Sequence, residues 1–209
     1  DDKLFEIVGH LNQADVDLPD GAARHELVEL NLAAGRRGIA AAAYGPAARL
    51  MERGLELLGP EAFATDYALA LSLHTEAANA YLLVPDFQQM DAHLDAVMQE
   101  GQSVMDRVRA YEIRILACQA RAMVNDGVST ALDVLAQLGV VFPAEPTPED
   151  VGAWLGKVAA AIGDREIGDL LDVAGNPDPR EVAAIRILVN ITSTAYIGAP
   201  ALFPLLVLE

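Results

Sequence analysis

Three arginines, Arg107, Arg114 and Arg121, stand seven residues apart. Seven residues is close to two helical turns, so their guanidiniums fall in one stripe on a helix expected from about Val104 to Val124. A guanidinium forks its N–H donors onto carboxylates or phosphates, so the stripe suits an acidic peptide or a phosphorylated partner. The same spacing also suits a ladder of ion pairs to a neighbouring helix, because the chain holds 31 acidic and 14 basic residues. Tyr81, Tyr111 and Arg114 form a second set, two rings and a cation that could edge a pocket between helices and take a small effector.

Other chemistry-bearing residues point away from catalysis. Gly35-Arg36-Arg37-Gly38 places two cations at an expected turn, where a following helix N-terminus could hold an anion or the arginines could cap the preceding helix. His10, His25, His74 and His93 fall on different expected helices without the HExxH spacing of a zinc site. His93 with Asp91 reads as a solvated pair, and His10 is expected to hydrogen-bond inside the first hairpin. Ser72, Ser103, Ser129 and Ser193 lack a GxSxG elbow, and Cys118 lacks an identifiable base. Cys118 follows Ile113, Ile115, Leu116 and Ala117, the setting of an inert buried thiol. No catalytic residue, cofactor site or metal ligand is therefore expected.

Charge and composition narrow the partners. A formal net charge of -17 opposes nucleic acid and anionic membrane surfaces, and suits solubility or a basic protein partner. One cysteine leaves no internal disulfide framework and no CxxC site. The most apolar stretch, Ala199 to Leu208, is about half a membrane span and is interrupted by Pro200 and Pro204. With no basic-then-apolar leader, a cytoplasmic location is expected. The absent initial Met and the uncapped run Leu205 to Leu208 read as a piece of a longer chain, with Leu208-Glu209 a conceivable remnant of cloning.

The elements that would position these residues are helices. Ala and Leu dominate, and both lose little on entering a helix. Apolar periodicity predicts a first face from Leu4, Phe5, Val8 and Leu11, a turn at Leu18-Pro19-Asp20-Gly21, and a second helix stopped by Ala34-Gly35. A long helix is expected from about Arg37 to Leu58, ended by Gly59-Pro60. Tyr67 to Leu83 and Phe87 to about Glu100 form a hairpin on Pro85-Asp86; Val104 to Val124 and Val128 to Leu138 form another on Asp126-Gly127. Breaks at Gly35, Pro85-Asp86 and Gly127, roughly forty to fifty residues apart, mark a helical-hairpin repeat. In Ala77-Ala78-Asn79-Ala80-Tyr81 before Asp86-Phe87, small residues admit a close neighbour and aromatics fill the wedge, the tetratricopeptide pattern. After Leu138 the texture changes to the proline-rich Val141 to Pro148. Thr147 is expected to cap a helix from Pro148 to Ile162, and Asp178-Pro179 to open another to Ile197. The second of these is apolar nearly all round, which predicts burial either within this chain or against a neighbour outside it.

Phe5-Glu6-Ile7-Val8-Gly9-His10-Leu11-Asn12-Gln13-Ala14, Leu30 to Gly35 with Ala43-Tyr44, Leu138-Gly139-Val140 with Pro143, Leu170-Leu171 and Asp178-Pro179 together resemble one known region. It follows the AAA-type predicted ATPase module of large bacterial serine/threonine kinase and histidine kinase signalling proteins. The resemblance covers nearly the whole chain and implies a tetratricopeptide-like segment linking that module to sensor and kinase modules. It carries over no catalytic residue, since GxxxxGK[ST], HRD, DFG and a histidine-kinase box are absent from this sequence.

The expected architecture is all-α: a tetratricopeptide-like α-solenoid over residues 1–140, a proline-rich connector at 141–147, and a C-terminal helical closure over 148–209. The expected role is a non-catalytic interaction module of a signalling protein, with protein partners, no cofactor, and self-association or docking through the apolar stretch Val182 to Leu208. The alternative is a small-ligand sensor with a pocket between hairpins.

Overall fold

The computed structural model describes residues 2–14, 21–163, 165 and 178–209. Among these, eleven helices pack as sequential hairpins and no strand is present. They are α1 (Asp2–Ala14), α2 (Gly21–Ala40), α3 (Tyr44–Leu58), the single turn α4 (Ala62–Thr65), α5 (Tyr67–Leu83), α6 (Phe87–Glu100), α7 (Val104–Ala120), α8 (Val124–Leu138), α9 (Pro148–Ile162), α10 (Pro179–Gly198) and α11 (Phe203–Leu208). The expected turn at Leu18 to Asp20 and the pair Leu170-Leu171 lie outside the described residues. No described helix is long and apolar enough to cross a membrane.

The chain forms two compact units, Asp1–Ile113 and Arg114–Glu209. The division falls inside α7, whereas the texture of the sequence changes at 141–147. In the first unit α2 packs on α3, α3 on α5 and α5 on α6, with α1 laid against α2. Its core joins Leu27, Val28 and Leu32 to Met51, Leu57, Leu73 and Ala77. In the second unit α8 packs on α10, and α11 rests on α9 and α10. Ala131, Val134 and Leu135 of α8, Ile187 and Ile191 of α10 and Leu205 of α11 are buried in this unit.

Two hairpin breaks lie elsewhere than expected. Helix α2 runs straight through Gly35-Arg36-Arg37-Gly38, and the chain turns at Ala41 to Ala43. Likewise α7 ends at Ala120 and the turn comes before Val124, which leaves Gly127 inside α8. The glycines are packing notches. A Cβ on Gly35 would lie 2.4 Å from Met51 Cε, and one on Gly127 would lie 3.2 Å from Cys118 Cβ. Removing the side chain is what lets the paired helices close up at these points.

The turns themselves repeat one hydrogen-bond pattern. Ala42 N–H donates to the Ile39 carbonyl and Ala43 N–H to that of Gly38; Ala122 donates to Gln119 and Met123 to Cys118. This is the Schellman closure, and it requires a left-handed residue at its fifth position. Here that residue is alanine, Ala42 at φ 58° and Ala122 at φ 57°. The Pro85-Asp86 turn matches at its last bond, Asp86 N–H to the Tyr81 carbonyl. In all three the residue closing one helix also starts the next, since Ala43, Asp86 and Met123 accept from Ala47, Met90 and Gly127.

The predicted start at Thr147 is present as a reciprocal capping box with Asp150, and Asp178 accepts from the Arg180 amide. Burial is uneven over the last helices. No residue of α9 is buried. In α10 one face, Ala183, Ala184, Ile187, Leu188, Ile191 and Ala195, is buried, while Ile185, Val189, Tyr196 and Ile197 are each more than half exposed.

Candidate functional site

In the first unit the polar side chains converge on α5 and α6. Asp66 and Asp86 cap these helices through their side chains, which fixes their start and the rotation of the residues that follow. His74 and His93 then meet across the hairpin, Nδ1 to Nδ1 at 3.0 Å. His74 stacks on Phe63, with ring centroids 5.2 Å apart, and His93 stacks on Tyr81 at 5.7 Å. The Tyr81 hydroxyl donates to Glu52 Oε1 at 2.5 Å. The result is a continuous row from α3 to α4: Glu52, Tyr81, His93, His74 and Phe63. His74 also opens on a cleft of about 370 Å³ edged by Phe63, Gln99 and Glu100.

Burial controls the electrostatics of this row. It pushes His74 down to about 4, helped by the neighbouring His93. Burial also lowers His93, against the opposing pull of the Glu52 carboxylate. The Tyr81 phenol is raised, first by burial and then by its bond to Glu52. At neutral pH both imidazoles are therefore uncharged, and the short Nδ1–Nδ1 contact requires one to donate and the other to accept. Such a pair can take one proton and keep its bond, but a second proton leaves two donors face to face.

The sequence reading missed this pair and took His93 with Asp91. Residues 74 and 93 sit on different helices, and only the geometry of the hairpin brings them opposite each other. His10 is exposed on α1. Asn12 makes the first hairpin's polar contact instead, exchanging amide hydrogen bonds with the fully buried Asn31 at 2.8 and 2.9 Å.

The arginine stripe is not continuous. Arg121 lies beyond the end of α7, in the turn. Arg107 donates to the Gly101 carbonyl at the end of α6, and Arg114 and Arg121 each have partners of their own. Tyr81 is engaged by Glu52 and His93, and Tyr111 also has a partner. Arg36 pairs with Glu76 of α5, Nε to Oε1 at 2.8 Å. Gly35 to Gly38 lie at the C-terminal end of α2, with Arg37 in its last turn, so they offer no helix N-terminus to an anion. Ser103 serves as a cap: Asp106 N–H donates to its Oγ, and its own N–H donates to Asp106 Oδ2 at 2.9 Å. Cys118 is buried where α7 meets Gly127.

The second unit holds a different kind of site. A cleft of about 570 Å³ runs between Val128, Leu132 and Ala136 of α8, the connector Val141 to Pro146, and the turn Ala199 to Leu202. Phe142 is one of its walls and stacks on Trp154 of α9, centroids 6.2 Å apart. Trp154 is held in turn by Lys157, whose Nζ lies 3.7 Å over the ring, and by a hydrogen bond from its Nε1 to Glu209. The helices behind the cleft are set by Gln119, which donates to the Asn190 carbonyl and to Thr194 Oγ1. Arg180 donates to the Gln137 carbonyl at the opposite end.

Compared with protein-family models, with curated proteins and with solved structures, the chain finds no match.

Proposed function

We propose that this chain is a tetratricopeptide-like repeat module that works by contact, joining the ATPase and kinase modules of a bacterial signalling protein. The exposed side of α10 carries this reading. Ile185, Val189, Tyr196 and Ile197 form an apolar strip on a helix whose other face is already fully used. An exposed apolar strip that includes an aromatic ring has the composition of a binding hot spot rather than of a solvated face. The repeated Schellman turn supports the repeat character, because it gives successive hairpins the same closure. The setting among ATPase and kinase modules rests on the sequence resemblance. The net charge of -17 favours a basic partner surface around the apolar contact.

In this role the chain transmits contact, and bond-making belongs to its neighbours. Titration calorimetry of the chain with the separately expressed ATPase and kinase modules of its parent protein tests the proposal. Binding at about 1–10 μM is expected with at least one of them. Ile185→Asp with Val189→Asp should weaken it by at least about tenfold, because a carboxylate buried without a partner is costly. An absence of heat with both modules at about 100 μM refutes the proposal, as does binding that ignores the double substitution.

A further inference from the structure

We propose that the cleft of the second unit binds a small apolar molecule that carries a positive charge, of the alkylammonium class. Its volume of about 570 Å³ lies in the range of small-molecule sites. Side chains of Val128, Leu132, Ala136 and Phe142 supply an apolar wall. Glu145 is the charged side chain of the lining. Pro143, Pro146 and Pro200 have no N–H, which tilts the backbone of the connector and the turn toward carbonyl acceptors.

The helix α10 stops at Gly198, and the next residues, Ala199 to Leu202, line the cleft. The field of a chain with net charge -17 favours a cation over an anion. An apolar tail has the α8 wall, and an ammonium has the Glu145 carboxylate at the exposed edge of the lining. A carboxylate would be repelled there, and a neutral head would use none of the charge.

Trp154 is the single tryptophan and stacks on the cleft residue Phe142, so its emission reports occupancy. Octylammonium, octanol and octanoate are titrated into the 209-residue chain below their aggregation limits, with calorimetry in parallel. Octylammonium is expected to saturate at a Kd of about 0.1–1 mM, as befits so small a ligand. It should bind at least about tenfold tighter than octanoate, with octanol between. Glu145→Gln should remove most of the preference over octanol. Ala136→Leu and Ala201→Phe, at exposed positions of the rim, should each abolish binding with the helical circular dichroism intact. Equal affinity for octanol and octylammonium overturns the proposal. So do a preference for octanoate, indifference to Glu145→Gln, indifference to both filling substitutions, and the absence of saturable binding.

Discussion

Acid should weaken the first unit specifically through the His74–His93 pair. In the unfolded chain an imidazole binds its proton near 6.5, whereas burial holds His74 down to about 4. Between these values the unfolded state carries more protons, so stability falls as pH falls. The contribution is complete above about pH 6.5 and is lost progressively as pH drops toward 4. At about 1.4 kcal/mol per pH unit, the fall from 6.5 to about 4 caps the effect at about 3.5 kcal/mol. Both imidazoles are only partly buried, and solvent screening reduces the expected loss to about 2 kcal/mol. Urea unfolding followed by far-UV circular dichroism, at about pH 7 and pH 4.5, measures it. The reference is the His74→Gln, His93→Gln double variant, which keeps all 31 acidic residues, so general carboxylate titration cancels in the comparison. Wild type should lose about 2 kcal/mol more than the variant. Equal losses, within about 0.5 kcal/mol, refute the argument. Proton NMR gives an independent check, since a His74 midpoint near 6.5 would show that the ring is not desolvated.

The left-handed alanines yield a prediction of the opposite sign. Ala42→Gly and Ala122→Gly should each stabilise by about 0.5–1 kcal/mol, the relief of a left-handed Cβ less the added freedom of glycine when unfolded; thermal melts that fall for both would discount the Schellman assignment. Gly35→Val should destabilise by about 2–3 kcal/mol by pushing into Met51, and adding Met51→Ala should recover at least half of that in a double-mutant cycle. Additive losses would mean that the two sites do not touch. Incubated with Mg-ATP, the chain should release no phosphate, and reproducible turnover would count against a contact role.

How much of this was legible in the residues depended on whether a signal was local. The capping box at Thr147 to Asp150 and the turn at Pro85-Asp86 were readable, because cap and donor lie within one turn of each other. So was the end of α8 at Gly139, which takes φ 102°. The breaks at Ala41 to Ala43 and at Ala120 to Met123 were hidden by composition. Alanine is the strongest helix former, and neither the run Ala40 to Ala43 nor Ala120-Arg121-Ala122-Met123, all good helix formers, announces a left-handed residue. Glycine misled in the opposite sense: at Gly35 and Gly127 it serves the neighbouring helix, an effect visible only when Met51 and Cys118 are in place. The histidine row has no sequence period, because hairpin geometry alone sets His74 against His93. The arginine spacing was real, but Arg107 is occupied by a carbonyl that no periodicity names.

The reciprocal bond between Asn12 and Asn31 has a consequence for how α1 comes and goes. Among the described residues of that helix Val8 is the apolar one fully buried, while Phe5, Ile7 and Leu11 are each between about a third and a half exposed. Grease alone therefore holds α1 weakly and would let it slide. The two amides remove that freedom, since a slip of one residue leaves Asn31 buried with its pairing to Asn12 broken, at about 1–3 kcal/mol. The first helix then behaves as a latch with a single keyed position: it can lift away at modest cost, but it can close in only one alignment.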